Sequence, residues 1–232
     1  MSKQSDIFFD LDHTLWDFDR NCSETLEELF HHYNLPQYGE IKLSNFIATY
    51  KEINKEMWRL INTGKATIQD IRSQRFPLTF KRLGISGANI PKSINEDFMR
   101  LCPEKSNLMP YVHETLSYLQ KRYNLYILTN GFFETQTLKI TNTGIGKYFK
   151  GVFHSDSCGY FKPDKRMFLY ALEQAKVTDC SRCTMVGDDL DADVIGARNA
   201  GMNTVYYNPE KKQHTEKTTF EINCLSELKA IL

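Results

Sequence analysis

The 232-residue sequence lacks an excess of either charge: Lys and Arg total 29, and Asp and Glu total 29. With no net field to gather a polyanion, a nucleic-acid polymer is not an expected partner, although a small anion can still bind locally. No apolar run approaches the ~20 residues that cross a bilayer. The opening "MSKQSDIFFD" has no long apolar stretch of the secretory kind, so a cytoplasmic protein without a membrane partner is expected. The six cysteines (Cys22, Cys102, Cys158, Cys180, Cys183 and Cys224) are scattered, which fits reduced thiols rather than a disulfide framework. "CSRC" at Cys180 to Cys183 has no second pair and no histidine near it, too few ligands for a structural zinc. Repeats, low-complexity tracts and long linkers are also missing.

What is present is enough apolar residue, 41% of the chain, to bury one large domain, or a core with an insert. "IFFD", "LYILTNG", "GVFHS", "CTMVGDD" and "NTVYYN" read as buried strands of a parallel sheet. Helical patterns lie between them, over Pro110 to Arg122, Glu134 to Thr143, Asp164 to Lys176 and Ala192 to Ala200. Gly144 and Gly201 stand where helices should end. Strands alternating with helices imply an α/β, doubly wound fold. Residues 21–102 break the rhythm. Leu43, Phe46, Ile47, Tyr50, Ile53, Met57, Leu60 and Ile61 make one apolar stripe at helical spacing. "TIQD" at Thr67 and "SINE" at Ser93 have the form of capping boxes. The expected organisation is an α/β core of residues 1–20 and 103–232, with an all-helical domain, 21–102, inserted after the first strand.

The acids decide what such a core does. In a doubly wound fold the cleft lies at the carboxyl ends of the strands. The first strand delivers Asp10 and Asp12 there, "LTNG" delivers Thr129 and Asn130, "KPD" delivers Lys162, and "GDDLDAD" delivers Asp188, Asp189, Asp191 and Asp193. Each segment alone has a plain reading as a turn, a helix entry or a solvated loop. Starting at Asp189, the acidic run offers Val194 where a calcium loop needs glycine, so that motif fails. Together, closely spaced like charges beside buried strands either sit in solvent as turns or hold a cation and do chemistry, and solvated turns are harder to hold for all the segments jointly.

In this order, "DLDHT", "LTNG", "KPD" and "GDDLDAD" resemble the four motifs of the haloacid dehalogenase superfamily. The likeness spans the α/β core, and the helical insert falls where that superfamily carries its small cap. "FFDLDHTLWDFD" with "GARNAGM" is most similar to the branch that contains bacterial pyrimidine 5′-nucleotidases.

The resemblance implies a Mg²⁺-dependent phosphatase acting on a small phosphorylated metabolite through an aspartyl phosphate. Asp10 would be nucleophile and metal ligand, with the Asp12 carbonyl and Asp188 completing the metal set. Asp12 would protonate the leaving oxygen, with a pKa expected to be raised by its acidic neighbours or burial. Thr129, Asn130 and Lys162 would bind the phosphoryl group. Asp193 would orient Lys162 or a metal-bound water with help from Asp189, while Asp191 belongs to the solvated turn. The dehalogenases of the superfamily lack an acid at the Asp12 position, so phosphoryl chemistry is expected. Trp16, with Phe18, could stack on a base or pack the hinge beside the insert. Lys65, in the insert, could meet an anion or stay solvated, and His13 should point away from both acids. A sugar phosphomutase or sugar-phosphate phosphatase, and a binding protein without turnover, are the rival readings. A monomer is the default.

Overall fold

The computed structural model describes residues 5–85 and 91–232; the first four residues of the opening segment lie outside them. Along the chain come β1 (Asp6–Phe9), α1 (Phe18–His32), α2 (Leu43–Asn62), α3 (Ile68–Arg82), α4 (Ile94–Leu101) and α5 (Val112–Leu119). Then follow β2 (Asn124–Thr129), α6 (Phe133–Thr143), β3 (Gly151–His154), the single turn α7 (Ser155–Cys158) and α8 (Lys165–Gln174). The chain ends with β4 (Cys183–Gly187), α9 (Gly196–Asn199), β5 (Asn203–Tyr207), β6 (Phe220–Ile222) and α10 (Leu228–Ile231). It divides into two compact units, one of Met1–Phe18 with Ser106–Leu232 and one of Asp19–Lys105.

The first unit is α/β. Its six strands lie in the order β3-β2-β1-β4-β5-β6, and every neighbouring pair is parallel. The expected doubly wound sheet is therefore present. Parallel strands covered on both faces need continuous apolar runs. β4 is buried throughout, and Ile7, Phe8 and Phe9 of β1 are sealed from solvent. One face packs Phe8, Leu128 and Met185 against Met167, Phe168 and Ala171 of α8 and Ala197 of α9. Winding starts at β1 and proceeds to both sides, so β1 and β4 flank the point where the strand order reverses, the place where doubly wound folds open a crevice. Phe9 is in register with Ile127 and Val186, and the Asp10 N–H continues the ladder to the Val186 carbonyl at 2.9 Å.

Two details depart from expectation. β6 is a sixth strand of three residues, of which Phe220 and Glu221 are exposed; so short a run carries no periodic signal. The helix expected over Ala192 to Ala200 begins instead as a wide π-type turn, Leu190–Ile195. The Asp189 carbonyl there accepts from both Asp193 N–H (2.9 Å) and Val194 N–H (3.2 Å), and the Asp189 side chain accepts from Asp191 and Ala192 N–H. Regular α-helix follows only over Gly196–Asn199. Gly144 does end α6, at a left-handed φ of 67°.

The second unit contains α1 to α4. Phe46, Tyr50, Phe76, Phe80 and Phe98 form one aromatic cluster, with Phe76 touching all four others at centroid distances of 4.9 to 6.5 Å. The stripe on α2 supplies Phe46, Tyr50, Ile53, Met57 and Ile61 to the interior, while Leu60, at its edge, is exposed. Thr67 and Asp70 form the expected reciprocal capping box. Ser93 does not: its backbone is already helical and its side chain makes no cap bond. Among the described residues no helix is long and apolar enough to cross a membrane.

Phe76 is 1% exposed, and truncating a buried phenylalanine costs about 3–5 kcal/mol through lost transfer energy and the cavity left behind. Phe76→Ala should lose that much in urea unfolding followed by circular dichroism, and Phe76→Leu far less. An unshifted midpoint for the alanine variant would show that the cluster does not hold the helical unit together.

Candidate active site

The carboxyl end of β1 meets that of β4, and the charges gather there. Lys162 Nζ lies 2.5 Å from Asp10 Oδ1 and 2.6 Å from Asp193 Oδ1. The lysine is 2% exposed. Burial alone would discharge it, but Asp10 and Asp193 outweigh burial and hold it firmly protonated. Asp10, Asp188 and Asp193 each place a carboxylate oxygen within 4.8 Å of the other two. Burial is the main reason that all three are pushed upward, Asp188 to about 7; nearby carboxylates add to it, Asp193 and Asp188 on Asp10, Asp193 and Asp189 on Asp188, and Asp189 on Asp193. Three carboxylates crowd one ammonium here, so the cluster is rich in negative charge whenever they are ionised.

Two features of the sequence make this packing possible. Asn130 donates from Nδ2 to the Lys162 carbonyl (2.9 Å) and accepts from the Lys162 N–H (2.8 Å), so its amide fixes the backbone that carries the lysine. Gly187 clears space for Asp193: a Cβ at 187 would sit 2.1 Å from Asp193 Oδ2. That oxygen also accepts from Asp189 N–H.

A second cluster forms around Asp12. Its Oδ1 accepts from Lys139 Nζ at 2.6 Å and its Oδ2 from Gln136 Nε2 at 2.9 Å. Gln136 Nε2 also donates to Thr129 Oγ1 at 2.7 Å, which further accepts from Gly131 N–H at 3.1 Å. The Asp12 pKa was expected to be raised. Burial does push it up, but Lys139 and Gln136 push it down harder, and it lies below the ordinary value. Gln136 and Lys139 escaped the sequence reading because Gln and Lys usually face solvent on a helix. A signal existed, however. The buried stripe of α6 is Gln136, Lys139, Ile140 and Thr143, helical spacing with polar residues at three of four places, while Phe133 and Leu138 are exposed.

Other expected residues stand elsewhere. Asn130 has both ends of its side-chain amide on the Lys162 backbone and so organises that loop. Trp16 is fully buried, with Lys139 Nζ 4.3 Å from its ring centroid, so it offers no open face for stacking on a base. It pairs across a short bridge with Leu108, flanked by bonds from Met109 N–H to the Leu15 carbonyl and from Asp17 N–H to the Asn107 carbonyl. Asp189 spends one carboxylate oxygen capping its own turn, and it is absent from the cluster of Asp10, Asp188 and Asp193. Asp191 is exposed, as expected of a solvated turn, and Lys65 is exposed in the helical unit. His13 was expected to point away from both acids. β1 has ended by then, His13 adopts a left-handed φ of 62°, and when protonated it lowers the pKa of both Asp12 and Asp188.

The donor set suits a hard divalent cation. All candidate ligands are oxygens, which Mg²⁺ prefers, commonly with one or two carboxylates and water. Asp193 is committed to Lys162 and to Asp189 N–H, and one oxygen of Asp188 takes the Thr14 hydroxyl at 3.1 Å. Asp10 and Asp188 thus each keep one oxygen for an ion.

Because a methyl at Gly187 would strike the Asp193 carboxylate, Gly187→Ala should destabilise the α/β unit by about 1–3 kcal/mol, as overpacking does. Urea unfolding measures this. An unchanged midpoint would mean that Asp193 is not wedged against the end of β4.

Comparison with known proteins agrees with the geometry. The family model for haloacid dehalogenase-like hydrolases matches residues 7–201. The chain is 31% identical to the HAD-hydrolase YfnB of Bacillus subtilis over 234 residues, covering all of this chain and 97% of the relative. The structure of YfnB, determined with magnesium and described as revealing interdomain movement, superposes with a TM-score of 0.89 at 30% identity over 99% of each chain. The pyrimidine 5′-nucleotidase YjjG of Escherichia coli is 32% identical over 228 residues, 97% of this chain and 96% of that one. PynA of Streptococcus pneumoniae, also a pyrimidine 5′-nucleotidase, is 28% identical over 225 residues, 96% and 92% of the two chains. With a parallel sheet in this strand order, acids at the ends of β1 and β4 and a buried lysine between them, the chain belongs to the haloacid dehalogenase-like hydrolases.

Proposed function

We propose that this phosphatase hydrolyses nucleoside 5′-monophosphates, with a preference for pyrimidine nucleotides and a requirement for Mg²⁺. The observation that carries the phosphoryl chemistry is the pair Asp10 and Asp12, two residues apart and held by different cations, Lys162 and Lys139. What supports the nucleotide class is the likeness over nearly the whole chain to YjjG and PynA. Trp16 lends no support to it, being sealed from any substrate.

In this reading a carboxylate oxygen of Asp10 attacks phosphorus as the bond to the leaving oxygen breaks, giving an aspartyl phosphate. Asp12 donates its proton to that oxygen, which departs as the nucleoside hydroxyl. Asp12 then accepts a proton from water as the water attacks phosphorus, releasing inorganic phosphate and restoring Asp10. Lys139 favours ionised Asp12, whereas an arriving phosphoryl anion raises the pKa of the carboxylate beside it. Lys162 supplies fixed positive charge, oriented by Asp193, and Thr129 offers its hydroxyl to a phosphoryl oxygen. Asp10, Asp188 and the Asp12 carbonyl would hold Mg²⁺, which when bound offsets the repulsion between the attacking carboxylate and the phosphoryl oxygens. The helical insertion acts as the cap that supplies specificity.

Two measurements test this reading. Asp10→Asn should reduce turnover to background while the protein stays folded, and chelator should abolish wild-type activity until Mg²⁺ is restored. Full activity in excess chelator, or substantial turnover by a clean Asp10→Asn preparation, would remove the assigned roles. For substrate, kcat/KM should be highest for deoxyuridine and thymidine monophosphates among pyrimidine nucleotides, purine nucleotides and hexose phosphates. A hexose phosphate preferred over every nucleotide would leave a phosphatase of another specificity.

A further inference from the structure

We propose that Gln136 and Lys139 are positioning residues for Asp12, and that the ring of Trp16 is the surface that holds Lys139 in place. The inference rests on the reading of Asp12 as the group that transfers the proton. Gln136 and Lys139 are three residues apart on α6 and therefore share a face. Both are buried, at 0% and 6% exposure. A lysine in such a place is costly unless its charge is paired. The pair it makes contributes little net stability, because desolvation offsets the attraction. What the pair supplies is orientation.

Each oxygen of the Asp12 carboxylate has its own donor, Lys139 Nζ on Oδ1 and Gln136 Nε2 on Oδ2. A single bond would leave the carboxylate free to rotate about it; two bonds from one rigid helix select one orientation. Lys139 is itself confined, with Nζ 4.3 Å from the Trp16 ring centroid and 5.9 Å from that of Phe18. The ammonium is attracted to those ring faces and has little room to leave Asp12.

Gln136 does more than hold Asp12. The two hydrogens of its Nε2 go one each to Asp12 and Thr129. A flipped amide would set its carbonyl oxygen against the carboxylate, so electrostatics select this orientation. Thr129 Oγ1 then accepts from both Gln136 and Gly131 N–H. A hydroxyl has two lone pairs and one proton; with both lone pairs engaged, the proton of Thr129 is left for an outside acceptor. One amide thus sets the aim of Asp12 and the donor direction of Thr129. Gly131 is part of the device, since a Cβ there would lie 2.1 Å from Gln136 Nε2.

A phosphate ester with a good leaving group needs little help from an acid, whereas an alkyl ester depends on one. The experiment therefore compares kcat/KM for p-nitrophenyl phosphate and for a nucleoside 5′-monophosphate in the wild type, Asp12→Asn, Lys139→Met, Lys139→Arg and Gln136→Leu. Acid–base assistance is commonly worth 10²–10⁴-fold, so mispositioning the acid should cost Lys139→Met and Gln136→Leu about tenfold more on the nucleotide than on the aryl ester. Lys139→Arg, which keeps a charged donor, should recover most of that difference. Equal losses on both esters in Lys139→Met and Gln136→Leu, beside an unequal loss in Asp12→Asn, would overturn the positioning role and leave the role of Asp12 standing. An equal loss on both esters in Asp12→Asn would overturn both. If Lys139→Met does not fold, Gln136→Leu carries the same comparison alone.

Discussion

A lysine sealed from water between two aspartates is the constraint on which the α/β unit depends. Lys162 can stay charged at 2% exposure only because Asp10 and Asp193 face it. Those three residues come from the end of β1, from the loop before α8 and from the π-type turn after β4, so the bond requires the strand order that sets β1 beside β4. It also requires Asn130 to hold the backbone of Lys162, and Gly187 to leave room for Asp193. Removing both carboxylates would leave a buried ammonium unpaired, which a fold of marginal stability tolerates poorly, whereas one carboxylate with an isosteric amide in place of the other still pairs it. Removing the lysine would leave carboxylates already pushed upward by burial without their cation.

The parts of this arrangement that show in the sequence are those in which a charge stands where charge is rare. Asp10 follows three sealed apolar residues, and Asp188 follows a strand buried at every position, so each is conspicuous against its neighbours. Parallel strands declare themselves as apolar runs, which is why β1 to β5 are legible. β6 is not, because only Ile222 of its three residues is buried. The cluster around Asp12 was hidden for the opposite reason. Gln136 and Lys139 are ordinary residues for a helix surface, and only the packing of α6 turns that face inward. Trp16 shows the same limit: an aromatic residue near a nucleophile suits a stacking surface and a packed support equally well until the location of Lys139 is known.

The two aspartates at the front of the chain also differ in what their surroundings favour. Asp10 is pushed up, mainly by burial and also by Asp193 and Asp188, while Asp12 is held down by Lys139 and Gln136 against burial. A nucleophile must be ionised to attack, and a proton donor must be protonated to give. Against burial, Lys162 favours the ionised Asp10 that attack needs, whereas Lys139 opposes the protonated Asp12 that proton donation needs. An opposite charge near a carboxylate lowers its pKa and a like charge raises it. A divalent cation on the free oxygens of Asp10 and Asp188 would further favour ionised Asp10, and a phosphoryl anion beside Asp12 would favour its protonated form. The proposed cofactor would thus add to the pull of Lys162 on Asp10, and the proposed substrate would oppose that of Lys139 on Asp12. In that arrangement the metal and the phosphoryl group push the two carboxylates in opposite directions, and Lys139 favours ionised Asp12 again once the phosphoryl group has left.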